Sequence, residues 1–371
     1  MMMLKDYFFT KCQMSRLLIF RFDVNTLLSP KGVKYINQLR CYQMFYEEVG
    51  ISRIEVKLDT TNHGQHKVLY ANGRMQVRVL VLLHGIDNNG DGVSLHGHPA
   101  LQSLRLIAYN GARPLEGDWS VAIQENRYAH EMSGGATRLT EVPRVIDNRI
   151  SNAADPVQIL QFWVSASRPG IMEVAAEISL NGAVLRSNGV GFDSSVTLEA
   201  IPPKEYSLSD FSLSKYDKKQ NRGLYEWVQH YHIGLRADGR QVHLLDWYSS
   251  EVKLDPYDSE DAVQVYVSGN IPGEQGSRKT FYGYMAPIYG LQATFRSPHG
   301  YVTVPINKVP GQLTLVQYVS ADPQAARESD SAFEFAVIDE FGSEHRLSVD
   351  GDKKQLTFIL DQSRRSMKRL V

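Results

Sequence analysis

The densest chemistry in this sequence is three histidines and a tryptophan: His230, His232, His243 and Trp247. A two-residue turn at Asp238-Gly239 would pair Ala237 with Arg240, Gly234 with His243, His232 with Leu245 and His230 with Trp247. Alternate strand residues share a face, so Tyr231, Ile233, Leu235, Val242 and Leu244 form an apolar side, and the imidazoles and the indole gather on the other. Three imidazoles are a ligand set for zinc, and an indole beside them is a stacking platform for a sugar ring. A solvated polar face is the plainer reading, because His230 and His232 stand about 7 Å apart along one strand.

Tyr282, Tyr284 and Tyr289 lie among glycines between Phe281 and Gly290. Rigid amphipathic rings on a loop suit recognition of a glycan or a protein surface, whereas tyrosines packed on their own domain are the alternative. Asp87, Asn89 and Asp91, in Asp87-Asn88-Asn89-Gly90-Asp91-Gly92, place oxygens at alternate positions as in the first half of a calcium loop. The twelfth position is His98, where an EF-hand needs a bidentate glutamate, so a plain turn competes with calcium.

Familiar catalytic signatures fail in detail. The run Gly273 to Thr280 lacks the glycine before Lys279 that a phosphate loop requires, and Gly92-Val93-Ser94-Leu95-His96 misses the closing glycine of a nucleophile elbow. His130-Glu131 has no second histidine at zincin spacing. No enzyme is therefore expected, and a glycan-active enzyme with paired carboxylates stands as an alternative.

The elements that position these residues are strands. In Arg74 to Ile86, Met75, Val77, Val79, Val81 and Leu83 share one face; the other begins polar and turns apolar at Leu80. Met172, Val174, Ala176, Ile178 and Leu180 alternate with Glu173, Glu177 and Ser179, then meet Asn181-Gly182, a strong hairpin signal. Short alternating runs with Gly, Asn and Asp turns recur through the C-terminal half. The expected fold is all-β: tandem antiparallel, immunoglobulin-like β-sandwiches with a short N-terminal helical segment over Ser29 to Val49.

The expected organisation is an N-terminal segment, 1–52; a sandwich over 53–205, either single or split near 151–156; a linker over 206–222; and a second sandwich over 223–371. A formal net charge of −1 over 371 residues gives no global argument for nucleic acid. The two cysteines, Cys12 and Cys41, leave the β-rich body without a disulfide framework. The run Leu17-Leu18-Ile19-Phe20 is shorter than the about 7–15 apolar residues of a signal peptide or the about 20 of a membrane span. The expectation is synthesis in the cytosol, with release, a cell surface or a particle all open as final sites.

Ala71-Asn72-Gly73, the alternating valines and Asp87 to Val93 together resemble the opening of bacterial immunoglobulin-like domains of the invasin and intimin type. That resemblance implies tandem extracellular β-sandwiches acting as stalks or adhesins. Asn72 stands where the pattern carries aspartate, and no functional residue is transferred.

The function expected is non-enzymatic surface recognition or structure: an adhesin, a receptor- or carbohydrate-binding module, or a virion or appendage component. Its partner is a glycan or protein surface. A toxin or particle protein that forms a homo-oligomer through its N-terminal segment is the alternative. The ligand residues expected are His230, His232, His243, Trp247, Tyr282, Tyr284 and Tyr289, with no cofactor required and calcium or zinc as the metals to test. Elemental analysis of the purified chain checks this: one equivalent of zinc selects the histidines, one of calcium selects the Asp87 loop, and neither leaves recognition by side chains alone.

Overall fold

The computed structural model describes residues 49–59, 64–132, 155–216, 220–222, 226–249, 264–272, 278–297, 300–320, 332–352 and 357–362. The helix expected to begin at Ser29 lies outside them, apart from Val49. The described chain is almost wholly β, and its N-terminal half holds β1 (Gly50–Leu58), β2 (His66–Tyr70), β3 (Val77–Ile86), β4 (Arg105–Ala108), β5 (Trp119–Ala122), β6 (Val157–Ala166), β7 (Gly170–Leu180), β8 (Ala183–Arg186) and β9 (Val196–Ile201). One sheet runs β1-β3-β6-β5. The second runs β2-β9-β7-β4 with β8 beside β7.

The alternation in β3 fixes which side is inside. Val77, Val79, Val81 and Leu83 are fully buried and share a core with Val174, Ala176, Ile178 and Leu198 of the second sheet. Asn181 and Gly182, at φ +51° and +81°, turn β7 into β8. Strands on either side of 151–156 interleave, since β6 pairs with β3 and β5 while β7 pairs with β4.

The C-terminal half holds β10 (Phe211–Lys215), β11 (Gln220–Asn221), β12 (Trp227–Ala237), β13 (Arg240–Val242), β14 (Leu244–Tyr248), β15 (Gln264–Pro272), β16 (Arg278–Met285), β17 (Gln292–Ser297), β18 (Gly300–Pro305), β19 (Leu313–Ser320), β20 (Phe333–Asp339), β21 (Glu344–Asp352) and β22 (Thr357–Gln362). The stretch 206–222, marked as a linker by its composition, supplies β10, which pairs with β12; Tyr206 and Phe211 are buried. Ser212, Ser214 and Lys215 are exposed in this edge strand, and its alternate positions Phe211 and Leu213 face the core.

Three layers result. The central sheet runs β10-β12-β19-β16-β15, with β11 and β13 also on β12. Tyr231, Ile233, Leu235 and Leu315 on one face pack against Phe335, Val337, Leu347 and Phe358 of the sheet β14-β20-β21-β22. Val228, Tyr282, Tyr284, Val316 and Tyr318 on the other face pack beneath Phe295, Val302 and Val304 of the two-stranded hairpin β17-β18.

The two halves meet at the turn Ala71-Asn72-Gly73. Asn72 Oδ1 accepts from the Arg74 and Met75 amides, both at 2.9 Å, which closes the turn. Its Nδ2 donates outward to the Phe341 carbonyl at 2.8 Å and to Ser343 Oγ at 3.1 Å. Arg74 donates to the Gly342 carbonyl at 2.9 Å, the Ala129 amide donates to the Glu340 carbonyl at 2.7 Å, and Tyr70 meets Phe341 edge to face at 5.5 Å.

Gly342 is required here twice over. It sits at φ +83°, and a Cβ on it would lie 2.6 Å from Arg74 Cβ. Gly342→Ala is expected to destabilise the chain by about 1–3 kcal/mol, read as a lowered thermal midpoint.

On the outer face of the second N-terminal sheet, the buried Glu177 carboxylate accepts from Arg105 Nη2 at 2.6 Å and Arg186 Nε at 2.6 Å. Burial alone would raise its pKa, but the arginine hydrogen bonds outweigh burial and hold the pKa below the ordinary value. With the folded pKa depressed, this contribution is complete above the unfolded value of about 4.3 and is lost as pH falls through the folded one. Glu177→Gln should cost about 1–3 kcal/mol at neutral pH in denaturant unfolding, with the gap to the parent chain closing as the medium is acidified.

Candidate functional site

The turn at Asp238-Gly239 forms as its residues dictate, at φ +52° and +78°, with Ala237 opposite Arg240 and Leu235 opposite Val242. The ladder then stops. At His243 the chain leaves the sheet, and β14 pairs with β20 in the facing layer. The His243 ring occupies the space a Cβ on Gly311 would fill, and the Leu244 amide donates to the Gly311 carbonyl at 2.9 Å. The expected pairings of His243 with Gly234, His232 with Leu245 and His230 with Trp247 are therefore absent; β12 has β10 and β19 as its neighbours instead.

This relocates the histidines. His230 and His232 are each 2% exposed, on the face that β17-β18 covers, and Tyr282 and Tyr284 are buried on the same face at 4%. Cross-strand rows run Val228-Tyr318-Tyr282 and His230-Val316-Tyr284. Tyr284 stacks on Phe295 at 3.9 Å, and His232 meets Tyr216 edge to face at 4.5 Å. The exposed His/Trp platform is thus replaced by an interior aromatic layer, because a hairpin distant in sequence covers the face that local pattern leaves open. His243 stands apart, with Nδ1 4.0 Å from buried Glu340.

Tyr289 is different: it is 67% exposed, with Leu291 at 78%, on the loop between β16 and β17. Pins hold the loop from below. The Ala286 amide donates to the Thr314 carbonyl at 2.9 Å, and Trp247 Nε1 donates to the Ala286 carbonyl at 2.9 Å. Asn307 Nδ2 reaches the carbonyls of Pro287 at 3.0 Å and Gly290 at 3.1 Å, and the Ile306 amide closes on the Leu291 carbonyl at 3.0 Å. Gly290, at φ +83°, turns the tip. Two of the predicted ligand residues therefore meet here in unequal roles, Tyr289 at the tip and Trp247 in the support.

Sequence reasoning missed Leu291 and Asn307. Only the φ of +52° at Asn307, a residue type that tolerates the left-handed region, hints at a special position, and that is a structural quantity.

The Asp87 loop folds as an Asx turn. Asp87 Oδ1 accepts from the Asn89 amide at 2.8 Å and the Asp91 amide at 2.9 Å, while Asn89 Nδ2 donates to Oδ2 at 3.3 Å. The Asp91 amide, with smaller help from Asn89 and Gly90, holds the Asp87 pKa below the ordinary value. Its oxygens are directed at the loop's own amides, Oδ1 at backbone and Oδ2 at the Asn89 side chain. Among the described residues no three of His, Cys, Asp or Glu are grouped to share a metal ion.

Asn307→Ala removes both carbonyl contacts and places alanine at positive φ, so it should cost about 1–3 kcal/mol. Faster amide hydrogen exchange confined to residues 286–291 and 306, with the strands beneath unchanged, is the outcome that checks the pinning.

No protein-family model matches the chain, and no curated protein matches it. Among solved structures, invasin, a bacterial integrin-binding protein, aligns with 82% of this chain at 9% identity and a TM-score of 0.20; the chain spans 41% of the invasin chain. The C-terminal domain of the Streptococcus pyogenes antigen I/II-family protein AspA aligns with 84% of this chain and 99% of its own, at 9% identity and a TM-score of 0.20. The C-terminal domain of the Streptococcus agalactiae AgI/II polypeptide BspA aligns with 84% and 100%, at 8% identity and 0.19. These are distant likenesses among β-rich proteins, and the all-β assignment of this chain rests on its own strands.

Proposed function

We propose that this chain is a non-enzymatic, adhesin-like recognition protein that engages a protein surface through Tyr289 and Leu291. The observation that carries the reading is an exposed aromatic and an exposed aliphatic side chain on a loop whose backbone is pinned by Trp247, Asn307 and Ile306. A contact costs less when its residues are already ordered, and a tyrosine brings large area with few rotatable bonds. Beneath the loop lie the stacked rings of Tyr284 and Phe295, so the base is packed side chain and not solvent.

An exposed leucine beside the tyrosine favours a protein over a sugar, since a glycan needs hydrogen-bond partners along with a stacking ring. The test is binding of the labelled chain to a panel of immobilised extracellular proteins and to a glycan array. Tyr289→Ala and Leu291→Ala should each weaken a protein interaction about tenfold or more while leaving the thermal midpoint unchanged. Binding confined to glycans would reassign the partner class, and binding that both variants retain in full would remove this loop from the interaction.

A further inference from the structure

Asparagine followed by glycine carries a reaction of its own. No Cβ stands beside a glycine amide, so its nitrogen reaches the asparagine Cγ unhindered. The N–Cγ bond forms, the Cγ–Nδ2 bond breaks, and ammonia leaves with the amide proton. Water then opens the cyclic imide at either carbonyl, giving aspartate or isoaspartate with no oxidant or enzyme. Two things oppose it: a glycine amide already donating to a carbonyl, and an asparagine side chain held away from its own backbone.

Five such pairs stand in this chain, at Asn72, Asn89, Asn110, Asn181 and Asn188. The fold treats them differently. The Gly73 amide donates to the Ala166 carbonyl at 2.8 Å, and both ends of the Asn72 amide are engaged, by Arg74, Met75, Phe341 and Ser343. The Gly90 amide donates to the Asp87 carbonyl at 3.1 Å and the Gly189 amide to the Arg186 carbonyl at 3.0 Å. Their asparagines are bonded too, Asn89 to Asp87 and Asn188 to the Tyr109 carbonyl. Asn110-Gly111 and Asn181-Gly182 are exposed, and among the described residues nothing accepts from the Gly111 or Gly182 amide.

We infer that Asn110 and Asn181 are sites of spontaneous deamidation in the folded chain, while the hydrogen bonds around Asn72 keep the same chemistry out of the joint between the halves. Asn110 converts first. Its loop is closed at the base by the Ala108 amide on the Arg113 carbonyl at 2.8 Å, whereas Asn181 sits in a tight turn between the paired Leu180 and Ala183 and donates to the Val49 carbonyl at 3.1 Å.

Conversion at Asn181 changes what it holds. A carboxylate accepts and does not donate, so the tie to Val49, the residue before β1, is lost. Ser194 Oγ still takes the Val56 amide at 2.8 Å, so β1 loosens at Gly50 and Ile51 and stays fixed further on.

Mass-spectrometric peptide mapping of the full chain, held at mildly alkaline pH, tests this. Peptides bearing Asn110 and Asn181 should convert about tenfold or more faster than the one bearing Asn72, where attack must await local opening of several hydrogen bonds. In denaturant the five should convert at similar rates, because the dipeptide is the same. Asn72 converting as fast as Asn110 in the folded chain overturns the inference, as do an Asn110 and an Asn181 that stay intact while the denatured chain converts. Asn181→Asp should speed amide hydrogen exchange at Gly50 and Ile51 and leave Val56 unchanged. If that variant fails to fold, exchange of the parent chain before and after conversion decides, and an unchanged Gly50 refutes the loosening of β1.

Discussion

One amide side chain, that of Asn72, holds two structures at once. Its oxygen closes the turn that leads into β3, and its nitrogen reaches the turn between β20 and β21. Facing it, Asp339 does the same work from the other half: Oδ1 accepts from the Phe341 and Ser343 amides at 2.9 and 2.8 Å, and Oδ2 meets His345 Nε2 at 2.9 Å. A carboxylate only 1% exposed persists because each oxygen is engaged. Glu340 beside it is buried against Arg240 at 2.7 Å. Two turns, each satisfied internally by an Asx-type side chain, thus meet through their remaining polar groups, and apolar contact runs on through Tyr70 and Phe341.

Burial at that joint raises the hydroxyl pKa of the two tyrosines beside it, Tyr70 and Tyr206. Tyr206 sits where the two halves converge, with its ring 5.0 Å from His345, and burial reinforced by Asp339 pushes its hydroxyl pKa well above the ordinary range. The phenol therefore stays neutral at any physiological pH and serves as packing with a polar edge. Relative to an apolar interface, such a joint trades some stability for a fixed register, because a shifted contact would strip the Phe341, Gly342 and Glu340 carbonyls of their donors on Asn72, Arg74 and Ala129.

Wherever a strand's two faces differ, the sequence reads directly. The valines of β3 and the apolar positions of β7 name the core, and Asn181-Gly182 and Asp238-Gly239 fall where positive φ is needed. β12 defeats the same logic. Its residues alternate His230 and His232 with Tyr231 and Ile233, a pattern suited to one wet face, yet both faces are buried. The partner that dries the second face, β17-β18, is remote in sequence, and so is β19, which replaces β14 as neighbour. Local turn chemistry sets the first pairs of a hairpin; which strand continues the sheet is decided by long-range packing. Tyr289 was legible as a residue type in a glycine-rich run, whereas Asn307 and Leu291 became meaningful only once the loop had folded back on them.

Among the described strand pairs, that of β2 with β9 is the one parallel pair, setting His66 beside Thr197 and Tyr70 beside Ile201. It joins one of the earliest strands of the N-terminal half to its last. Closing so long a loop costs chain entropy that no local hairpin recovers, so the step comes late and slowly in folding. During synthesis β2 must wait, its edge open, until residues 196–201 have emerged. The Ala71 amide bonds the Ile201 carbonyl at 2.8 Å, so the last strand of the first sandwich is tied directly to the turn bearing Asn72, the point where the second half docks.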